Sequence, residues 1–505
     1  MTPPEDAARP WPLTAWVPAA LVFVVLATLN SAGYRFGEGD QAFYLPAIQR
    51  HVEPESFPRD RILIDDQDRL NVFPRVAAAL IRTAHLPPPA LFLGLYVVAL
   101  LLLAWGARAF AGCLGLSPWA QLAVLAALTM KHRVGMTGVN TLEGYGHPRV
   151  LAFAIGLAAV VSVLRARPLG ALALVAAAFA VHPTTALWFA VWVGVALVAA
   201  ETRLRPWLVA AGGAAAVAAV WAIGWGPLSA QVVRMDDAWL GVLEGKDYLF
   251  ATAWPANMWV AAFCYAATPP MAFAVRRRLG VAHPREEAIV LGLAGLIALF
   301  LVTLPFVAAR IALAVQFQVS RVLWMLDLTA TVYVVWALAD AGRALTRTAS
   351  RRRAAAGACV LICLAAGRGA WVMWVEHPGR PVARAGLPQN DWQDAMAWLR
   401  NQPIGTHVLA DPAHAWRHAT SVRVAAGRDV YLEEVKDTAM AMYSRRVAMR
   451  VAERIGAIGD FGALTPASAR ALAERFGLDV LVTERSLDLP VAYRNGRFSI
   501  YRLRP

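Results

Sequence analysis

Charged residues are scarce in this chain. Of its 505 residues, 16% are charged and 58% are hydrophobic, whereas soluble domains contain about 25% charged residues. The composition therefore excludes a soluble fold for most of the chain. The formal charge of +14 comes mostly from arginines in short clusters between apolar runs, which is a signal of membrane topology and not of nucleic-acid binding.

Cysteine is also rare, and it supplies no structural framework. The four cysteines, Cys113, Cys264, Cys359 and Cys363, lie in or beside apolar runs and lack the spacing of metal ligands or disulfides. We interpret them as small apolar residues. The sequence also lacks a Gly-rich phosphate loop, an internal repeat and a low-complexity tract. Because the N-terminus has no cleavable-signal pattern, the first apolar run is expected to remain as an anchor.

Long apolar runs dominate the chain from Trp11 to Trp374. They predict an α-helical polytopic membrane protein of about eleven transmembrane helices, since each run has roughly the 17 to 25 residues that cross a bilayer. The predicted spans are residues 12–30, 89–107, 118–132, 149–164, 169–182, 184–200, 207–226, 254–275, 287–308, 321–340 and 354–374. Because His182-Pro183 separates two of them and proline removes a backbone donor, this pair is expected to be broken or tilted.

The arginines predict which way the chain crosses the membrane. With a cytoplasmic N-terminus, the cytoplasmic loops hold the basic clusters at Arg108, Arg165–Arg167, Arg203–Arg205, Arg276–Arg278 with Arg285, and 343–353. This distribution satisfies the positive-inside rule. The opposite loops, 31–88, 133–148, 227–253 and 309–320, collect acids, His, Asn and Trp. We therefore expect a multi-pass protein of the bacterial inner membrane whose working face is the outer one.

The tail has the composition of a soluble domain. We divide the chain into a transmembrane domain (1–375), a linker (376–390) and a periplasmic domain (391–505). Helices are predicted at Asp391–Arg400, Lys436–Ile455 and Pro466–Phe476, and strands at Thr406–Ala410, Asp479–Thr483 and Phe498–Arg502. This alternation is typical of a small α/β domain.

The first predicted outer loop carries two carboxylates beside glycines. Glu38 and Asp40 lie in Gly37-Glu-Gly-Asp40, directly after the first span. Carboxylates at a membrane boundary suit two tasks: they deprotonate an acceptor hydroxyl, or they hold a divalent metal that binds a diphosphate. A solvated loop end is the alternative interpretation.

Later in the same loop, Asn71–Ala84 has an apolar stripe at helical spacing. The stripe predicts an amphipathic helix, which either lies on the membrane surface or packs on neighbouring spans.

The second predicted outer loop carries Glu143, His147 and Arg149, with Pro148 well placed for a helix start. These three side chains suit a phosphate, a metal or a sugar hydroxyl, but their spacing matches no zinc motif. His182 lies between two apolar helices, where an ionisable group is a candidate site residue. A neutral histidine bonded to a carbonyl is the competing explanation.

A third polar group surrounds another predicted outer boundary. Arg310, Gln316, Gln318 and Arg321 lie there, and Asp327 follows about two turns into the span. Because the planar guanidinium donates two parallel bonds, arginine suits an anionic headgroup or a diphosphate. Snorkelling of either arginine to the interface is the alternative.

Tryptophan is abundant, with 19 residues, but its amphipathic ring is generally enriched at membrane interfaces. Trp239, Trp254 and Trp259, in or beside a predicted outer loop, are candidate stacking platforms for a sugar.

The order of these parts resembles the GT-C class of membrane glycosyltransferases, which use polyprenyl-phosphate sugars at the outer face. The resemblance rests on the acidic first loop, the second loop with Glu143 and His147, the number of spans and the outer C-terminal domain. In that domain three segments look like the soluble domain of bacterial members, including ones of unassigned function: Trp392–Leu399, Pro403–Pro412 and Ser421–Arg423.

The resemblance implies a hexosyl- or pentosyltransferase with a lipid-linked sugar donor and a glycan, lipid or protein acceptor. It makes Asp40 the catalytic base, with Glu38 and Glu143 as further catalytic residues. The residues implied to bind substrate or phosphate are His147, Arg149, His182, Arg310, Gln316 and Arg321. A divalent metal, Mg or Mn, would be held by Asp40 and Glu143. The chain departs from the common paired-acid pattern, which leaves metal dependence open.

Two other classes of function remain open at this point. A transporter or lipid flippase would have charged pairs within facing spans and broken helices at mid-membrane. A non-catalytic envelope assembly protein would use its outer domain for binding.

Overall fold

The computed structural model describes residues 11–68, 71–130, 134–342 and 350–504. Parts of two predictions, the end of span 118–132 and most of the basic loop 343–353, lie outside these residues. Up to residue 342 the α-helices are α1 (Leu13–Asn30), α2 (Gln41–Val52), α3 (Arg61–Asp68), α4 (Phe73–Ala84), α5 (Pro88–Cys113), α6 (Pro118–Thr129), α7 (Pro148–Leu164), α8 (Pro168–Val181), α9 (Pro183–Ala200), α10 (Arg205–Gly224), α11 (Asp237–Val242), α12 (Ala256–Arg278), α13 (Glu286–Ala308), α14 (Ala312–Phe317) and α15 (Leu323–Ala339).

From residue 350 the α-helices are α16 (Ser350–Trp371), α17 (Asp391–Arg400), α18 (His414–Arg417), α19 (Val422–Ala425), α20 (Glu434–Met440), α21 (Arg445–Ile458) and α22 (Pro466–Phe476). The strands are β1 (Tyr34–Arg35), β2 (Ala383–Arg384), β3 (His407–Leu409), β4 (Asp429–Val430), β5 (Val480–Thr483), β6 (Val491–Arg494) and β7 (Ser499–Arg502).

The helices confirm the polytopic membrane architecture. Among the described residues, 8 helical segments are long and apolar enough to cross a membrane. Six are single helices, α1, α5, α9, α10, α12 and α13; the other two are Ala312–Ala339 and Arg352–Glu376. The shorter apolar helices α6, α7 and α8 coincide with the three remaining predicted spans. As the His182-Pro183 pair predicted, the chain is broken there: α8 ends at Val181 and α9 begins at Pro183.

The chain forms two compact units. Unit 1 contains residues 1–34, 95–234 and 247–382, and unit 2 contains residues 35–94, 235–246 and 383–505. Unit 2 thus combines the chain after Ala383 with two segments from predicted outer loops.

Unit 1 is packed through aromatic rings and small residues. The ring of Phe153 on α7 stacks on Trp324 of α15 with centroids 3.9 Å apart. Gly156, one turn further along α7, lies so close to Phe189 that an added Cβ would be 2.2 Å from its ring. A side chain at this position would therefore separate α7 from α9.

A buried ion pair joins α12 to α13 in unit 1. Arg276 donates to both carboxylate oxygens of Glu286, at 2.6 and 3.1 Å, and to the carbonyl of Leu114 at 2.7 Å. The Tyr333 hydroxyl donates to the same carboxylate. Because a buried charge requires a partner, these contacts fix the ends of the two helices together.

Unit 2 contains a five-stranded sheet in the order β4-β3-β5-β7-β6. Strand β3 is parallel to β4 and β5, and β7 is antiparallel to β5 and β6. Val408, Val480 and Ile500 from the sheet pack with Trp392 and Met396 of α17 in one apolar core. This arrangement confirms the small C-terminal α/β domain. The predicted strands at Thr406–Ala410, Asp479–Thr483 and Phe498–Arg502 correspond to β3, β5 and β7.

The prediction of one helix over Lys436–Ile455 is wrong. Helix α20 ends at Met440, a 3-10 turn covers Ala441–Tyr443, and α21 begins at Arg445. The indole of Trp239 donates to the carbonyl of Ala441 at 2.7 Å. This carbonyl therefore has a partner outside the helix, 202 residues away in sequence.

Helix α4 covers most of the predicted amphipathic segment. It packs against α2 with Phe73, Ala77 and Ala78 buried, whereas Val76 and Leu80 are exposed. The predicted apolar stripe is therefore only partly packed. Phe73 belongs to the buried face of α4, whereas Val76 and Leu80 are exposed.

Candidate functional site

Glycines at two positions shape the acidic turn of the first predicted outer loop. Gly37 and Gly39 have φ values of +83° and +59°, in the region that glycine adopts without strain. The Gly37 N–H donates to the Gln41 side chain at 2.7 Å, and a Cβ on Gly37 would be 2.8 Å from Leu387 Cδ2. The turn ends at Asp40, which directly precedes α2.

The two acids of this turn have different partners. Glu38 is paired with two guanidinium groups, Arg35 at 2.8 Å and Arg384, and its side chain is 15% exposed. Asp40 accepts a hydrogen bond from the ammonium of Lys436 at 2.9 Å, and its side chain is 28% exposed. Of the two carboxylates, Asp40 is therefore the more accessible to a hydroxyl group.

Lys436 and Arg384 were not predicted as site residues. Both belong to the C-terminal part of the chain, and Lys436 is 396 residues from Asp40 in sequence. A signal for Lys436 does exist in the composition. Lysine occurs only at positions 131, 246 and 436 of the sequence, against 48 Lys and Arg residues together.

A buried charge network holds the first-loop segment to the C-terminal domain within unit 2. Asp60 is fully buried and accepts hydrogen bonds from Arg423 at 2.8 Å and from Arg450 at 2.6 Å. Burial raises the pKa of Asp60, but the charges of Arg423, Arg450 and Arg454 outweigh this effect and hold the pKa well below its usual range. Asp60 is therefore ionised at neutral pH.

Two other carboxyl groups of this network are shifted the other way. Burial raises the pKa of Glu433 to about 7, despite Arg423 nearby. Burial and the charge of Asp60 also raise the pKa of Asp429. Arg423 makes its closest contacts with Asp60 and with both oxygens of Asp437, at 2.6 and 3.0 Å, so Glu433 is the buried acid that stays neutral most easily.

The second polar group lies in unit 1 and contains the residues predicted from the second outer loop. Arg149 donates to Glu143 at 3.1 Å, and both side chains are largely buried. The His147 ring caps α7, since its Nδ1 accepts from the Arg149 N–H at 3.0 Å. The rings of His147 and His182 are 6.2 Å apart. Four predicted residues thus form one cluster.

His182 has a structural role in this cluster. Its Nδ1 caps the start of α9, 3.3 Å from the Thr185 N–H and 3.0 Å from the Thr185 hydroxyl. The positive charges of Arg149 and Arg321 act on the same ring. The predicted role of Arg321 in binding the substrate stays a prediction.

Three other predicted residues, Arg310, Gln316 and Gln318, belong to the same predicted outer boundary as Arg321. Gln316 donates to the side chain of Gln231 at 2.8 Å. Arg310 is exposed and, like Gln318, has a left-handed backbone conformation. Their predicted role in anion binding stays a prediction.

Two of the three candidate stacking residues are buried. Trp239 is 2% exposed and Trp254 is 6% exposed; their indoles donate to the carbonyls of Ala441 and Asp247. Because both side chains are buried in protein, the prediction that Trp239 and Trp254 stack on a sugar is wrong.

The described residues do not fit the divalent metal that the sequence left open. No group of three or more His, Cys, Asp or Glu side chains suited to a metal ion occurs among them. The two predicted ligands, Asp40 and Glu143, each have a cationic partner, Lys436 and Arg149. We therefore derive no step through a metal.

Comparisons with known proteins find similarity among solved structures. No protein-family model matches the chain, and no curated protein matches it by sequence. Among solved structures, the cryo-EM structure of the arabinofuranosyltransferase AftD from mycobacteria is similar, with 16% identity and a TM-score of 0.48. The match covers 98% of this chain and 37% of that chain, so the present chain spans little more than a third of the length of AftD.

Proposed function

We propose that this protein is a membrane glycosyltransferase that moves a sugar from a polyprenyl-phosphate donor to an acceptor hydroxyl, with Asp40 as the catalytic base. The reaction takes place at the outer face of the bacterial inner membrane, with the N-terminus in the cytoplasm and the C-terminal domain in the periplasm. The acceptor is a glycan, lipid or protein hydroxyl, and the sugar is a hexose or pentose.

The observation that carries this proposal is the difference between the two acids of the first loop. Glu38 pairs with the guanidinium groups of Arg35 and Arg384 and is 15% exposed, whereas Asp40 pairs with the Lys436 ammonium and is 28% exposed. A general base must come within hydrogen-bond reach of the proton that it accepts. Asp40 meets this condition better than Glu38, which instead holds the turn in place.

The cluster of unit 1 supplies groups of the kind that bind sugars. Glu143 and Arg149 offer an acceptor and donors, and His147 and His182 each use Nδ1 in a helix cap. We assign these four side chains to contacts with the sugar. Arg310, Gln316 and Arg321 are proposed as further residues that contact the substrate.

The test is sugar transfer in reconstituted membranes from a panel of polyprenyl-phosphate sugars. We expect Asp40→Asn to lower kcat at least 100-fold, since general base catalysis contributes about 10²–10⁴-fold. The matched control is Asp65→Asn, which removes a half-exposed carboxylate of the same unit that pairs with Arg50. Its kcat should equal that of the parent.

Two results would contradict the proposal. Full activity of the Asp40→Asn protein would exclude Asp40 as the base. Movement of a fluorescent polyprenyl phosphate across the bilayer, without sugar transfer from any donor, would make the protein a flippase and not a transferase.

A further inference from the structure

One of the three lysines of this chain pairs with Asp40, and a second lysine contacts the backbone next to the first. The Lys436 ammonium is 2.9 Å from Asp40 Oδ1 and 4.8 Å from the centre of the Phe43 ring. Lys246 donates from its Nζ to the carbonyl of Val435, the residue before Lys436, at 3.0 Å. All these residues belong to unit 2.

The second lysine is placed there by a short outer-loop segment. Within residues 235–246, Asp236 pairs with Arg445 at 2.6 Å and the Trp239 indole donates to Ala441. These two contacts fix the start and middle of the segment on α21 and on the turn before it. Its last residue, Lys246, is thereby brought to the start of α20.

The two ammonium groups act on each other. Burial lowers the pKa of Lys246, and the charge of Lys436 lowers it further, against the opposite effects of Glu434 and Asp40. Like charges that are brought together repel each other. Of these two carboxylates, Glu434 is exposed, so water screens its charge and it offsets the repulsion only weakly.

Lysine at positions 246 and 436 is unusual, because almost all the other basic residues of this chain are arginines. Arginine forms planar, two-point contacts, whereas the lysine ammonium is a compact charge on a flexible stem. A compact charge exchanges one anionic partner for another with little loss of geometry. Stacking of Lys436 on Phe43 keeps the ammonium in place while its partner changes.

We propose that Lys436 and Lys246 form a phosphate subsite beside Asp40, and that Lys436 transfers its ion pair from Asp40 to the phosphate of the lipid-linked donor. This inference rests on the proposed function. Without donor, the ammonium stabilises the ionised form of Asp40 and so makes it a weak base. When the donor binds, the phosphate takes the ammonium and Asp40 becomes a stronger base.

The transfer step then balances in charge. The bond between the anomeric carbon and the phosphate oxygen breaks, and its electron pair stays on the phosphate. The acceptor oxygen forms the new bond to the anomeric carbon, and its proton passes to Asp40. The phosphate gains one negative charge, which Lys436 and Lys246 stabilise, while Asp40 becomes neutral. Lys436 is therefore a positioning residue for Asp40 as well as a phosphate ligand.

Binding of the phosphate can be measured without any sugar transfer. The full chain in nanodiscs is titrated with farnesyl phosphate and with farnesol. We expect the parent to prefer farnesyl phosphate, and Lys436→Met with Lys246→Met to weaken farnesyl phosphate binding about 10- to 100-fold, since each charge-assisted contact contributes to affinity. Farnesol binding should not change. The matched control, Arg475→Met, removes an exposed cation that pairs with Glu453 in the same unit.

The role of Lys436 in positioning has a separate kinetic readout. With a polyprenyl-phosphate sugar, Lys436→Met should raise KM and lower kcat, and Lys436→Arg should restore KM more than kcat, because guanidinium binds phosphate but holds Asp40 in a different geometry. Lys246→Met should raise KM with a smaller effect on kcat.

The outcomes separate this inference from the proposed function. If sugar is transferred but the lysine variants keep the parent's KM and farnesyl phosphate affinity, the phosphate subsite is refuted and the transferase stands. If Arg149→Met and not the lysine changes abolishes the preference for farnesyl phosphate, the phosphate binds in the unit 1 cluster and the inference is again refuted. If the lysines determine phosphate binding but no donor gives transfer, the subsite stands and the transferase is refuted.

Discussion

The buried carboxyl group of Glu433 should make unit 2 less stable as the pH rises. Burial raises its pKa from 4.5 to about 7, so between these values the folded state binds a proton that the unfolded state has lost. Stability therefore falls as the pH increases from 4.5 to 7 and stays lower above that range. At about 1.4 kcal/mol per pKa unit, the cost is about 1 kcal/mol at pH 5 and about 3 kcal/mol at pH 8.

Glu433→Gln replaces the acid by a neutral side chain of the same shape. The variant should therefore be more stable than the parent by about 3 kcal/mol at pH 8 and by about 1 kcal/mol at pH 5. Arg423 keeps its contacts with Asp60 and Asp437, so its own charge remains paired.

The assay is native-state hydrogen exchange of the full chain in nanodiscs, read on peptides from β3, β5 and α19 and corrected for the intrinsic effect of pH. The free energy of opening of these peptides reports the local stability of unit 2. Glu453→Gln is the control, since Glu453 is exposed and pairs with Arg475 at the surface; it should change the opening free energy by less than about 0.5 kcal/mol. Equal gains for Glu433→Gln at pH 5 and pH 8, or no gain at pH 8, would refute the reasoning.

Three other predictions concern the anchors of unit 2 and the chemistry of its turn. Asp60→Asn should destabilise unit 2 by about 3–5 kcal/mol, because Arg423 and Arg450 lose their buried counter-ion; an unchanged melting temperature by tryptophan fluorescence would contradict this. Trp239→Phe should lower the stability of unit 2 by about 1 kcal/mol, because the hydrogen bond to Ala441 is lost, and should speed hydrogen exchange in residues 235–246. Exchange at the parent's rate would show that this hydrogen bond does not stabilise the segment. Treatment with EDTA should leave sugar transfer unchanged, since Asp40 is paired with an ammonium; loss of activity that Mg²⁺ or Mn²⁺ restores would reject this expectation.

Local signals explain what the sequence predicted correctly. The length of an apolar run decides whether a helix can cross a membrane, so the predicted spans correspond to the eight long and three shorter apolar helical segments of the described residues. The first and last residues of two helices in unit 2, α17 and α22, were predicted correctly, because the residues next to each helix mark its ends. The Asn390 side chain caps α17, and α22 has a capping box of Thr465 and Ser468 and is followed by Gly477 in the left-handed conformation.

The missed features depend on partners that are distant in sequence. The break after Met440 coincides with a bond to Trp239, and the partner of Asp40 is supplied from residue 436. Strand β4 has only two residues, and β6 is a half-exposed edge strand, so neither carries a strong apolar pattern. Sequence periodicity contains no information on contacts between residues so far apart. The rarity of lysine was the one signal that pointed to the contact between Lys436 and Asp40.

Unit 2 is built from three separate segments of the chain, so its parts are synthesised at different times. Asp60 and its partner Arg423 are separated by 363 residues, which a ribosome adds in roughly 20 to 70 s at about 5 to 20 residues per second. During that interval the segment 35–94 has been synthesised, but the residues that neutralise its buried acid do not yet exist. The segment therefore acquires these partners only after residue 450 has been synthesised. A chain shortened before Ala383 would retain the described helices α1 to α16 while leaving the acidic turn without Arg384 and Lys436.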